Sequence, residues 1–168
     1  MSRDIGPGTH LYWSAKSGLR SGAVVRPGDF KNYLMRQVLI EVQTGSPAVT
    51  VPNAAETGRA MLELAWETVR QREFPNRPSR FECLFLWTEA GAARRFDSHR
   101  EACELYDVEI LECARAFAAD MNLISYFEAS ESLASMFERA RRYWQAERKD
   151  EHGEILLEGT IRIQGTIS

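Results

Sequence analysis

The chain is poor in the residues that hold metals. Histidine occurs three times, at His10, His99 and His152, with no HExxH pair and no histidine–cysteine spacing that suits zinc. The three cysteines, Cys83, Cys103 and Cys113, are odd in number, far apart and without a CxxC, so neither a disulfide framework nor a structural zinc site is supported. No metal is expected, and a reducing cytoplasm is the compartment that fits. GxGxxG and the Walker loop are both missing, which removes the commonest phosphate cradles, and without GxSxG the nucleophile-elbow hydrolases fall away too. No run reaches the roughly 18 apolar residues of a spanning helix. MSRDIGPGTH lacks the apolar core of a signal peptide, so no membrane association is expected. A net charge of −3 supplies no global basic field to draw the chain to nucleic acid or membrane, although arginines can still cluster locally.

What is present suits one soluble domain over residues 1–168. The chain is 44% apolar and 27% charged, with enough length for a sizeable core. Leu11 to Ala15 reads as a short strand after the Gly6–Pro7–Gly8 break. Ser21–Gly22 marks a turn, Ala23 to Val25 a second short strand, and Pro27–Gly28 another turn. Tyr33 to Val42 is open between strand and helix, and Gly45 to Asn53 reads as a loop. The clearest helix is Ala55 to Glu73, where Met61, Leu62, Ala65, Trp66 and Val69 recur at helical spacing. It must stop at FPNRP, because the residue before a proline resists helical geometry.

Phe81 to Trp87 is then expected as a strand, and Thr88 as the cap of a short helix through Phe96 with Glu89 in its first turn. Leu105 to Leu111 reads as a strand. Asp120 suits the N-cap of a turn through Asn122 and Leu123, with a ligand contact as the alternative. Ser130 to Glu147 reads as a helix with a stripe of Leu133, Phe137, Ala140 and Trp144, and with Arg139, Arg141 and Arg142 on an exposed face. In that helix Tyr143 and Trp144 read as core packing. A polar linker, Arg148 to Gly153, leads into EILLEGTIRI, the most strand-like segment of the chain. Its partners are distant in sequence, so the expected fold is α+β with a mixed or antiparallel sheet.

The candidate functional residues are polar groups at the ends of apolar strands. Arg80 precedes the 81–87 strand with Ser79 beside it, Glu154 opens the last strand, and Tyr12 lies in the first. Arginine grips pyrophosphate through paired hydrogen bonds. A carboxylate can hold a ribose hydroxyl and stabilise a cationic sugar carbon. The plainer alternative is that strand ends are charged because water reaches them, and that an Arg–Glu pair there is a surface bridge.

Taken in order, LYWSAKSGLRSGAVVRPG, REFPNRPSRFECLFLW, ELYDVEIL, DMNLI, RRYW and GEILLEGTIRI resemble a bacterial and phage domain family similar to the ADP-ribosyltransferases. The branch they resemble contains DNA-modifying ADP-ribosyltransferase toxins. The resemblance runs from near Leu11 to near Ile163 and rests on the order and spacing of the segments. It implies an ADP-ribosyltransferase-like α+β fold, with two small, roughly perpendicular mixed or antiparallel sheets forming a cleft for NAD and helices packed outside. The implied chemistry cleaves the bond between nicotinamide and ribose, with NAD as substrate, and passes ADP-ribose to a protein or nucleic-acid acceptor. A toxin or phage-conflict role and an antitoxin partner belong to the same expectation.

Carried over by position, Glu154 is the catalytic glutamate that holds the ribose 2′-hydroxyl. Ser79 and Arg80 match a P-S-R element expected to contact the ribose or phosphates of NAD, and Tyr12 lies beside the position where related sequences read Tyr-His. Here Trp13 stands in place of that histidine. Three readings follow: Trp13 stacks on the cofactor, His10 compensates through another register, or NAD binding is altered. The alternative function is a non-catalytic nucleotide- or nucleic-acid-binding module on the same fold. A third reading is an interaction protein that meets an acidic partner through Arg139, Arg141 and Arg142.

Overall fold

The computed structural model of the chain describes residues 5–28, 54–97, 103–124, 131–146 and 153–167. The expectations for Tyr33 to Val42, for Gly45 to Asn53 and for the linker at 148–152, as well as His99 and His152, lie outside the described residues. The class is α+β. Five strands, β1 (His10–Lys16), β2 (Val24–Val25), β3 (Leu84–Trp87), β4 (Cys103–Asp120) and β5 (Gly153–Thr166), form one antiparallel sheet in the order β2-β5-β3-β1-β4. Because β5 also pairs with β4, the strands β4-β1-β3-β5 close into a ring. Its narrowest join is the single pair Tyr12↔Trp87 between β1 and β3. The two small sheets expected from the resemblance are thus one connected sheet among the described residues. The long strands β4 and β5 serve both ends of it, bending through register shifts at Asp107/Val108, Ile110/Glu112 and Cys113/Arg115.

Alternation along the strands sorts the side chains onto two faces. The inner face of the ring buries Leu11, Trp13 and Ala15 of β1, Leu84 and Leu86 of β3, Tyr106, Val108 and Ile110 of β4, and Ile155, Leu157, Ile161 and Ile163 of β5. Helices cover the outer face. Helix α1 (Ala54–Glu73) contributes Leu62, Ala65, Trp66 and Val69 to a second core. In it they meet Phe117, Leu156 and the buried side of α3 (Leu133–Trp144). The short helix α2 (Ala90–Asp97) lays Ala92 and Ala93 on Trp87 and Leu105, with Tyr12 at the edge.

Several boundaries move for physical reasons. The strand after FPNRPSR begins at Leu84, because Phe81 to Cys83 turn, with the Glu82 amide donating to the Ser79 carbonyl at 3.1 Å. Helix α2 starts at Ala90, so Glu89 precedes its first turn and offers its carbonyl to Ala93. Strand β4 runs nine residues past Leu111 to Asp120; the segment ECARAFAAD has little strand propensity of its own and is held by its ladder with β5. Asp120 does cap the following 3₁₀ turn (Met121–Leu123), its side chain accepting from the Asn122 amide at 2.9 Å.

The buried side of α3 also differs from the expected stripe. Leu133 is 60% exposed, whereas Met136, Arg139, Ala140, Tyr143 and Trp144 are buried. The helix is turned so that two polar side chains reach partners inside. Arg139 pairs with Glu131 and donates to the Leu123 carbonyl at 3.0 Å. It therefore does not belong to the exposed arginine face, while Arg141 stays near the surface and pairs with Glu73 and Glu138.

Candidate functional site

Arg80 and Glu154 meet. Their separation in sequence is 74 residues, and Arg80 Nη1 donates to Glu154 Oε1 at 2.5 Å. The fold brings them together because the turn after α1 delivers Arg80 beside β3, and β3 pairs with the start of β5 through Trp87↔Glu154. Tyr143 of α3 completes the group. Its hydroxyl accepts from Arg80 Nη1 at 2.5 Å and donates to Glu154 Oε1 at 2.6 Å. On the other side Arg80 holds Glu63 of α1 through Nε and Nη2, at 2.8 and 3.1 Å. The guanidinium also lies over the Phe85 ring, 4.8 Å from its centre.

This group is buried, with Glu154 1% and Arg80 9% exposed. A solvated strand end, the plainer alternative, does not describe it. Burial works against the guanidinium's charge, but Glu154, Glu63 and Tyr143 outweigh it and hold Arg80 well above the ordinary arginine range. Burial pushes the Tyr143 phenol well up, with Glu154 adding to the shift and Arg80 opposing it, so Tyr143 stays protonated and donates. Nearby, Cys83 is a half-buried free thiol that burial also pushes well up, which favours its protonated form.

Both contacts to Glu154 fall on Oε1. Among the described residues nothing hydrogen-bonds Oε2, and that atom is not among the fully enclosed unsatisfied ones, Ser14 Oγ and Trp66 Nε1. One carboxylate oxygen is therefore clamped by a cation and a phenol while the other keeps its acceptor capacity. That arrangement suits a carboxylate that must receive a hydroxyl in a fixed direction.

The remaining expected residues divide by face. Cross-strand pairing sets Ala119, Glu154, Trp87, Tyr12 and Asp107 in one row across β4, β5, β3, β1 and back to β4, so Tyr12 and Glu154 share a face. His10 is on that face too, two residues before Tyr12, and its Nδ1 lies 3.2 Å from Asp107 Oδ1 in an exposed pair. Trp13 points the other way, into the ring, tilted against Tyr106 with ring centres 6.4 Å apart. It is not beside Arg80 and Glu154. Ser79 is buried next to Arg80 but works as a turn residue, its amide donating to Glu158 at 3.0 Å and its hydroxyl accepting from the Phe81 amide at 3.3 Å.

Two members of the group, Tyr143 and Glu63, were not foreseen as site residues. Tyr143 carried a signal, because a buried tyrosine hydroxyl needs a partner. Glu63 carried none, lying on what reads as the polar side of α1. A separate groove of about 200 Å³ between α1 and α3 is lined by apolar side chains such as Met61, Leu133 and Phe137 and does not include the charged group. Among the described residues no three histidine, cysteine or acidic side chains gather as a metal site, and no helix is long and apolar enough to cross a membrane. No curated protein matches the chain. A family model described as a protein of unknown function, DUF2441, matches residues 25–168, and the chain belongs to that family.

Proposed function

We propose that the protein is an NAD-consuming ADP-ribosyltransferase that acts on a macromolecular acceptor, in the manner of a toxin or phage-conflict protein, on an ADP-ribosyltransferase-like fold. One observation carries the reading: Glu154 is clamped through Oε1 by Arg80 and Tyr143 while Oε2 keeps its acceptor capacity. NAD supplies the glycosidic bond that breaks, with nicotinamide leaving on the bonding electron pair and an acceptor nucleophile replacing it at the ribose carbon. Glu154 receives the ribose hydroxyl and stabilises the positive charge that develops on the sugar. Arg80 and Tyr143 act as positioning residues, since their donors are spent on Glu154 and Glu63. Tyr12 and His10, on the same face of the sheet, are the groups available to the rest of the dinucleotide.

The test is release of free nicotinamide from NAD by the purified chain, with protein and nucleic-acid acceptors offered in turn. Glu154→Gln, confirmed folded by circular dichroism, is expected to lower the rate by about 100-fold or more, the scale on which one transition-state contact acts. Absence of release with every acceptor, or full activity in the variant, would overturn the proposal. The second reading, a non-catalytic nucleotide- or nucleic-acid-binding module, is favoured by Trp13, which replaces the expected histidine and is turned into the core. Calorimetry that shows NAD and ADP-ribose binding without turnover would select it.

A further inference from the structure

Around the loop between α1 and β3, arginines that the fold holds in place are answered by carboxylates, while Arg72 in the last turn of α1 is exposed. Arg70 pairs with Glu67, Arg80 with Glu63 and Glu154, and Arg115 with Glu158. Arg77 is held in place without one. It is half-buried, makes no hydrogen bond through its guanidinium among the described residues, and lies over the Phe117 ring at 4.3 Å from the centre. In a chain with 24 acidic and 21 basic residues, a guanidinium held in place without an acid stands apart from its neighbours.

Its mount is rigid. The Arg77 amide donates to the Phe74 carbonyl at 2.9 Å, and the Arg77 carbonyl accepts from Arg70 Nη1 at 3.1 Å. Arg70 and Arg115 both donate to the Pro75 carbonyl, at 3.4 and 3.2 Å, so three guanidinium groups converge on one short turn. Two prolines, Pro75 and Pro78, restrict the turn further. Arg115 stands two residues before Phe117 on β4, hence on the same face, and its side chain is 45% exposed. Stacking on a ring fixes the plane of the guanidinium while leaving its N–H fork free for an oxyanion. Glu67, Glu82 and Glu158 balance Arg70, Arg77 and Arg115 in charge, so the attraction for an oxyanion rests on the Arg77 fork and not on a net positive field.

We propose that Arg77, stacked on Phe117 and flanked by Arg115, is the anchor of a binding site for phosphate oxygens on the outer side of this turn. Arg80 is consumed within the protein, its donors spent on Glu63, Tyr143 and Glu154, whereas the Arg77 fork is not. The same oxygens occur in the pyrophosphate of a nucleotide and in the phosphodiesters of single-stranded nucleic acid. The site is defined by its own geometry and does not require the chain to consume NAD.

The probes are ADP-ribose, by calorimetry, and a short single-stranded oligonucleotide, by fluorescence anisotropy, each against the full chain. Arg77→Ala is expected to weaken the bound probe by about tenfold or more, and Arg77→Lys by less, since lysine keeps the charge but not the fork. Arg162→Ala removes an exposed positive charge from β5 and serves as the control, with affinity unchanged. Tighter binding of ADP-ribose assigns the site to a nucleotide, and tighter binding of the oligonucleotide assigns it to nucleic acid. If neither probe binds, or if Arg77→Ala behaves as Arg162→Ala does while melting earlier, Arg77 only packs on Phe117 and the proposal falls. Binding that depends on Arg77 in a protein that releases no nicotinamide would retire the proposed activity and leave this site standing.

Discussion

Tyr143 shows how one hydroxyl ties a helix to a charged pair. Its phenol is raised above the ordinary tyrosine value, so its contribution to stability is complete below about pH 10 and is lost as the pH climbs through the folded value. In an absorbance titration Tyr143 is expected to ionise above the ordinary range, with Tyr106, which burial and Glu104 also raise. Tyr143→Phe should remove one such late-ionising group and lower stability by about 1–3 kcal/mol, because Arg80 and Glu154 each lose a buried partner. A titration curve unchanged by the substitution would show that the phenol is not enclosed as described. Sequence reading reached Arg80 and Glu154 because charged residues beside apolar strands stand out. It missed their depth, because burial of an ion pair depends on α1 and α3 closing over it, and neither helix announces that role. Trp13 was placed in the first strand correctly, but strand parity alone does not say which face is the interior.

At the level of elements, strand β5 depends on Gly159. A Cβ at that position would run into the Glu112 carbonyl on β4, where the ladder slips register. Backbone cannot retreat as a flexible side chain can, so Gly159→Ala should cost at least about 1–3 kcal/mol, read as a lower midpoint in urea denaturation. An unchanged midpoint would mean the bulge relaxes freely. Helix α1 and strand β5 were legible because a long apolar period and a β-branched run are local signals. The second half of β4 was not: Ala114, Ala116, Ala118 and Ala119 favour no strand on their own, and only pairing with β5 extends them. The stripe of α3 was misjudged for the opposite reason, since Arg139 looks polar and is buried by virtue of its partners while Leu133 is exposed; Tyr143 and Trp144 are buried as expected.

For the whole molecule, the inner core and the outer core are opposite faces of the same strands. On β5, Ile155 and Leu157 point into the ring while Glu154 and Leu156 point to the helices. Residues 154–157 and 161–162 are paired on both edges, with β4 on one side and β3 or β2 on the other. Their amides should be the slowest in native-state hydrogen exchange and should open only with global unfolding. Faster exchange there than in α2 would separate the two cores into independent units. The α+β class was readable from the mixture of periods; closure of the strands into one ring was not, because the β1–β3 join is a single residue pair with no local signature.

Strand β5 also has a place in time. It follows every other described element in the chain, and β2, most of β3 and the second half of β4 lack a partner until it arrives. On the ribosome, Arg80 and Tyr143 emerge before the carboxylate that joins them. The ring closes and the Glu154 clamp assembles in one step after β5 has emerged, so a nascent chain holds Arg80 and Tyr143 without their carboxylate until then.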